Sequence, residues 1–303
     1  MEQTGTGLKH GRASSVEAAY PFTGESEPGS ADGLTSGPSA VDAASGQRSV
    51  QSVEVGGRLL LALADSRSDL SLKDLAARAG LTPSRAHPYL VSFSRLGLVE
   101  QRQASGRYAL GPAALQIGLA ALHQLDPIQA AAPVAEALAA QTGHAVALAV
   151  WGNFGPTVVR LIEARQPLHV MLRAGSVMSL TGTATGRAFV AALPLERLEH
   201  ASPAALGEGP GARPWQERRD ELVAIAEESR AHGVSRAAGR PIPGVNAFSA
   251  AAFDHEGEPA IVITALDHED RLDSRWTSAT ARALRAAAAQ ITQRLGGRDP
   301  LIT

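Results

Sequence analysis

The chain has 303 residues, 44% of them apolar, no cysteine and a formal charge of −2. That length leaves room for two independent cores, and the missing cysteines exclude a disulfide frame, a thiolate zinc site and a cysteine nucleophile. No apolar run approaches the roughly 18 to 20 residues that span a bilayer, and no basic region followed by an apolar stretch opens the chain, so the reading is cytoplasmic, without a membrane partner.

Charge is unevenly spread. Residues 1–46 carry two Lys or Arg against six Asp or Glu, whereas residues 47–110 carry nine against five. The first segment is rich in Gly, Ser, Pro, Ala and Thr with no sustained apolar period, and is expected to be a disordered tail. Its Gly5-Thr6-Gly7 has the look of a phosphate-loop fragment, but no strand precedes it and no helix pattern follows.

From Ser49 onward Val50, Val53, Gly57, Leu60, Leu61 and Ala64 recur at helical spacing and predict a first helix with that face inward. Ser71 with Asp74 three residues on is a variant capping box, and Leu72, Leu75, Ala76 and Ala79 form the inner face of a second helix that stops at Gly80. A third helix starts at once: Thr82 as N-cap, Pro83 in the first turn, then Ala86, Leu90, Phe93 and Leu96 inward. Two short helices joined by Gly80-Leu81-Thr82 make a helix-turn-helix. Leu98–Arg102, the turn Ala104-Ser105-Gly106 and Arg107–Leu110 predict a hairpin, the wing.

Pro112 to Leu125 predicts a linking helix with Leu115, Leu119 and Leu122 on one stripe, and Asp126-Pro127 a fresh helix start. Beyond it, strands are expected at His144–Trp151, Thr157–Ala164, Leu168–Arg173, Asn246–Phe253 and Pro259–Asp267, and helices at Ile128–Gln141, Thr183–Leu193, Pro214–His232 and Asp273–Leu295. Hairpin-like spacings give an antiparallel sheet flanked by helices. The fold class is therefore α+β in two domains, divided as a tail (1–46), a winged helix-turn-helix (47–111), a linker helix (112–126) and an effector-binding and oligomerisation domain (127–303).

The stretches Leu72-Lys73-Asp74-Leu75-Ala76-Ala77-Arg78-Ala79-Gly80-Leu81, Leu96-Gly97-Leu98-Val99-Glu100 and Gly106-Arg107-Tyr108-Ala109-Leu110-Gly111 resemble the DNA-binding pattern of the IclR family of bacterial regulators. Thr183-Ala184-Thr185-Gly186-Arg187-Ala188 and the run from Pro243 to Asp254 resemble two signatures of its effector domain. The resemblance implies a GAF-like effector fold, dimers or tetramers, and control of catabolic genes, by repression or activation, through a small organic acid. It implies no cofactor, no metal and no catalytic residue.

In a helix-turn-helix the second helix enters the major groove. Ser84, Arg85 and His87 lie on the polar side of the third helix, and Arg85 has the fork that binds guanine O6 and N7 together. Ser84 matches the family's Ser, whereas a hydroxyl residue often stands where Arg85 does. Arg102 and Arg107 flank the wing tip, and Lys73 lies near the start of the second helix; all three are candidates for backbone or minor-groove contact with double-stranded DNA. Pro88 stands where the family commonly has Arg, and predicts a kink or a helix restarting at His87-Pro88.

By matched position Thr183, Ala184, Thr185, Val245, Ala247, Ser249, Thr264 and Leu266 line the effector site. Exposed amides at a helix N-terminus attract a carboxylate, and hydroxyls orient it. Capping is the other role open to Thr183 and Thr185. Arg173, Arg187, Arg236 and Arg240 are possible partners of an acidic ligand or plain surface charges. Competing readings are a sensor without operator binding and a hydrolase. For the latter, Asp254-His255-Glu256 and Asp267-His268-Glu269-Asp270 read as solvated turns, and Gly182-Thr183-Ala184-Thr185-Gly186 mimics a nucleophile elbow without a preceding strand or partner His.

Overall fold

The computed structural model describes residues 49–168, 170–206, 215–239 and 241–300, so the expected tail with Gly5-Thr6-Gly7 lies outside the described residues. The N-terminal elements are α1 (Gln51–Ala64), α2 (Leu72–Arg78), α3 (Pro83–Arg95), β1 (Val99–Gln101), β2 (Tyr108–Leu110) and α4 (Pro112–His123). Their boundaries follow local chemistry. Ser71 Oγ accepts the Asp74 amide at 3.2 Å, Thr82 Oγ1 accepts the Arg85 amide at 3.4 Å, and Gly80 turns the chain with φ +68°, a left-handed conformation that glycine adopts without penalty. β1 and β2 pair antiparallel, Val99 opposite Leu110, and Leu70 adds a bridge to Tyr108.

Leu59, Leu63, Leu75, Ala76, Ala86, Leu90, Val99 and Tyr108 form the core of this part. The inner face of α1 differs from expectation. Val50, Val53 and Leu61 are exposed, and Val55, Leu59 and Leu63 are buried instead. Both stripes are apolar, and the choice falls to Gly56: its bare Cα lets Phe93 of α3 come so close that a Cβ there would stand 2.8 Å from the ring. Leu96, expected inward, is also exposed, because α3 ends at Arg95 and the chain turns away at Gly97 (φ +71°). α3 runs unbroken through Pro88, so the expected restart there does not occur; only the carbonyl four residues earlier loses its backbone donor.

The C-terminal elements are α5 (Pro127–Thr142), β3 (Ala145–Gly152), β4 (Gly155–Ile162), α6 (Ala184–Ala192), α7 (Leu195–Glu199), α8 (Pro203–Leu206), α9 (Trp215–His232), β5 (Ser235–Ala238), β6 (Val245–Phe253), β7 (Pro259–His268) and α10 (Ala279–Arg294). The five strands form one antiparallel sheet in the order β4-β3-β7-β6-β5. Alternation sorts their side chains. Val146, Leu148, Phe248, Ala250, Ile261 and Ile263 face α5 and α10, whereas Ala149 and Val262 face α6 and α9. Ala145, Ala147 and Leu266 share a third cluster with Leu168, Val170 and Leu172.

Leu168–Arg173, expected as a strand, forms none. Its alternation is real, but it lays Leu168, Val170 and Leu172 over the sheet's face as a strap; just beyond it the Gly175 amide donates to the Val158 carbonyl at 2.7 Å, the Val158 amide to the Ser176 carbonyl at 2.9 Å and the Met178 amide to the Pro156 carbonyl at 2.7 Å, with a bridge from Val177 to Thr157. An extended chain with one apolar side buries alternate residues whether or not it joins a ladder. β5 was not expected; its four residues are too few for a pattern. α10 begins six residues later than expected, capped by Ser278, whose Oγ accepts the Ala281 amide at 3.2 Å.

Candidate functional site

Two surfaces carry the expected residues. On the helix-turn-helix, Ser84, Arg85 and His87 are all exposed on the first half of α3, and Lys73 is exposed on the first turn of α2. Among the described residues, Lys73 and Arg85 have no ion-pair partner. Arg102 and Arg107 face each other across the hairpin, the Arg102 amide donating to the Arg107 carbonyl at 2.8 Å. Their side chains are engaged: Arg102 pairs with Asp69 at 3.2 Å and Glu100 at 2.5 Å, and Arg107 Nη1 donates to the Asp69 carbonyl at 3.0 Å. Of these expected contacts, the ones on α2 and α3 are therefore free of ion pairs among the described residues, and the charge of the wing is partly compensated.

The second surface is a cavity of about 350 Å³ between the sheet, the N-terminus of α6 and the strap. Thr183, Ala184, Thr185, Val245, Ala247, Thr264 and Leu266 line it. Ser249 does not: it is fully buried, one step behind the wall. Residues outside the expected set complete the lining, chiefly Val170, Leu172, Val177 and Met178 from the strap side and Pro241 and Ile242 from the loop before β6. The strap's alternation was the available signal, read as a strand.

The three threonines differ. Thr183 Oγ1 donates to the Ser179 carbonyl at 2.7 Å and accepts from the Gly186 amide at 3.0 Å, so it is the cap of α6. Thr185 instead meets Thr264, Oγ1 to Oγ1 at 2.9 Å. No ionisable side chain lines the cavity among the described residues. Arg187 donates to the Thr181 and Arg236 carbonyls at 2.6 and 3.2 Å, and Arg236 donates to the Ser274 carbonyl at 3.0 Å while lying 4.1 Å above the Trp276 ring. Arg173 is exposed and off the lining, and Arg240 lies outside the described residues.

Asp267 overturns the reading of its run as a solvated turn, since it is 2% exposed. His144 Nδ1 donates to it at 2.9 Å, Arg271 Nε at 2.9 Å and the His268 amide at 2.7 Å. Burial alone would raise this carboxyl's pKa, but those donors outweigh it and hold the group below its ordinary value. His144 Nε2 then meets Thr280 Oγ1 at 3.2 Å. This Thr–His–Asp line has the order of a hydrolytic triad, yet none of the three lines the cavity, and Thr280 is buried in the first turn of α10. It ties β3, β7 and α10 together. Asp254 does sit in a turn, accepting the Glu256 and Glu258 amides at 2.9 and 3.0 Å.

Among the described residues no group of three metal-ligating side chains converges, and no helix is long and apolar enough to cross a membrane.

Comparison with known proteins finds two family matches along the chain. Residues 52–103 match the family described as the IclR helix-turn-helix domain, and residues 119–293 match that described as the bacterial transcriptional regulator IclR C-terminal domain. The glycerol operon regulatory protein of Streptomyces coelicolor is 33% identical over 153 residues, which are 50% of this chain and 60% of that protein. The transcriptional repressor IclR of Escherichia coli is 26% identical over 270 residues, covering 85% of this chain and 94% of the repressor. The crystal structure of Pseudomonas aeruginosa HmgR superposes with a TM-score of 0.69 at 35% identity, covering 82% of this chain and 99% of that one.

Proposed function

Because the chain belongs to the IclR family of transcriptional regulators, we propose that it binds an operator through α2 and α3 and is controlled by a small organic acid held in the cavity beside α6. The family is one of regulators, not enzymes. The observation that carries the effector reading is the cavity itself, enclosed by seven of the eight expected residues, apolar along the strap and polar at the start of α6. The first amides of that helix lack intrahelical partners by geometry and are suited to a carboxylate.

On the DNA side, Ser84, Arg85 and His87 enter the major groove, with Arg85 on base edges, while Lys73, Arg102 and Arg107 contact phosphates. Arg102 must first exchange Asp69 and Glu100 for phosphate, which makes it the weaker contributor. The working division is a DNA-binding part at 47–111, a linker at 112–126 and an effector part from 127 onward, in the cytoplasm.

The regulator works as a homo-dimer or tetramer in this reading. α4 carries no Asp, Glu, Lys or Arg and no buried residue, and Leu115, Ile117, Leu119 and Leu122 are all exposed. A helix apolar on all sides calls for a cover, and a second copy supplies an uncharged, self-complementary one while doubling the half-sites read. The Streptomyces relative is named for the glycerol operon; control of a catabolic operon is the corresponding proposal here.

The test joins two measurements on the full chain. A thermal-shift screen of aromatic and aliphatic carboxylates is expected to find acids that raise Tm, since a ligand that binds only the native state stabilises it. A footprint on DNA fragments enriched by in vitro selection is expected to show a two-fold site that such an acid strengthens or weakens. Acid binding without any footprint would leave a sensor alone; a footprint insensitive to every acid that binds would separate cavity from regulation.

A further inference from the structure

The cavity wall holds a row of hydroxyls whose protons can be counted. Ser249 Oγ lies 2.7 Å from Thr264 Oγ1, and Thr264 Oγ1 lies 2.9 Å from Thr185 Oγ1. Thr185 and Thr264 line the cavity, and Ser249, with no exposed surface, stands behind them. Three hydroxyls carry three protons, and the two contacts between them use two. Among the described residues Ser249 Oγ has no other acceptor, so a Ser249 that only accepted would strand its proton in a dry core at the full cost of an unmade hydrogen bond. Ser249 therefore donates to Thr264. Thr264 then either donates to Thr185 or accepts from it as well. In the first arrangement the unspent proton is on Thr185, in the second on Thr264, and both residues line the cavity. Thr183 adds nothing to this count, its proton being given to the Ser179 carbonyl.

We propose that the Ser249–Thr264–Thr185 row is a specificity element that presents one unspent hydrogen-bond donor to the cavity and selects apolar molecules bearing an uncharged acceptor oxygen there, such as a ketone or ester carbonyl. The proposal rests on the cavity being the effector site but is separate from the carboxylate contact at α6. With no ionisable side chain in the described wall, the acceptor needs no charge. An apolar group set against this wall leaves the donor unpaired, which sets the discrimination at about ten-fold.

The experiment uses acetophenone and α-methylstyrene, which share a shape but exchange a carbonyl oxygen for a methylene group. Both are titrated into the full chain by ligand-observed NMR, and the ratio of their affinities is compared among variants. Thr185→Val is expected to keep the wild-type ratio, because the spare proton moves to Thr264. The triple variant Thr185→Val/Thr264→Val/Ser249→Ala, which removes every hydroxyl and strands none, is expected to shift the ratio about ten-fold toward α-methylstyrene. A ratio equal in wild type and triple variant overturns the proposal, as does failure of wild type to bind acetophenone. Should the triple variant not fold, the infrared carbonyl stretch of acetophenone bound to wild type decides: a frequency below that in hexane supports the donor, and one equal to it overturns it. If benzoate raises Tm while acetophenone fails, the effector reading stands and only the hydroxyl row falls.

Discussion

His144 Nδ1 donates to Asp267 Oδ2 across 2.9 Å, joining the residue ahead of β3 to the one that follows the cavity-lining Leu266 on β7. Both side chains are buried, at 9% and 2% exposure. The link lies one residue beyond the cavity-lining Leu266 and anchors that end of β7.

Asp267 binds its proton more weakly folded than unfolded, because Arg271, His144 and the His268 amide favour its charged form against the opposing effect of burial. Its contribution to stability is thus complete above the ordinary value of 3.8 and is lost as pH falls through the lower folded value. Asp267→Asn is expected to cost about 2 to 3 kcal/mol at neutral pH and to flatten the loss of stability on acidification below about pH 4. Urea melts of both proteins across this range measure it; parallel acid profiles would count against the assignment.

Gly56 and Gly57 are neighbours on α1 with opposite surroundings. A Cβ on Gly56 would meet Phe93 Cζ at 2.8 Å, whereas one on Gly57 meets nothing within 4 Å. Gly56→Ala is expected to destabilise by about 1 to 3 kcal/mol through overpacking, and Gly57→Ala to stabilise by about 0.5 to 1 kcal/mol through helix propensity. Thermal melts that move in the same direction for both would show that α1 packs on another face.

Arg85→Ala is expected to weaken binding to the selected site by about 1 to 3 kcal/mol while leaving nonspecific DNA binding nearly unchanged. Lys73→Ala should instead weaken both alike and reduce the salt slope by about 1. Gel-shift titrations at several salt concentrations separate the two, and equal specific and nonspecific losses for Arg85→Ala would remove it from base readout.

Gly186 lies in the first turn of α6 with the backbone of Ser179 and Leu180 where a Cβ would be. Neither neighbour is a side chain that can swing aside, so Gly186→Ala is expected to shift α6 away from the cavity and cost about 3 kcal/mol or more. Loss of effector-induced Tm shift together with the lowered melt measures this; full retention of both would mean that the close approach is relaxed cheaply.

The helix-turn-helix was legible because its signals are local. Ser71 and Thr82 cap where their side chains can reach the next turn, and Gly80 breaks the helix wherever the fold places it. The buried face of α1 was not legible, since two apolar stripes compete within fourteen residues and the choice follows from the close approach of Phe93 and Tyr89 to Gly56. The same holds for Leu168, Val170 and Leu172, whose alternation specifies an extended chain with one buried side but not whether that side joins a sheet edge or covers its face.

By itself the sequence determined the helix-turn-helix and its caps, four strands of the main sheet, the family motifs and seven of the residues that line the cavity, because each depends on neighbours a few positions away or on a matched pattern. Only the tertiary structure decided that Asp267 is buried with His144 rather than exposed in a turn, that Thr183 spends its hydroxyl on α6, and that Ser249 stands behind Thr264. Those outcomes depend on contacts between residues from 15 to 123 positions apart, or on which of several possible acceptors a hydroxyl finds. Spacing in one dimension carries no information about that choice; packing of strand on strand and helix on sheet does.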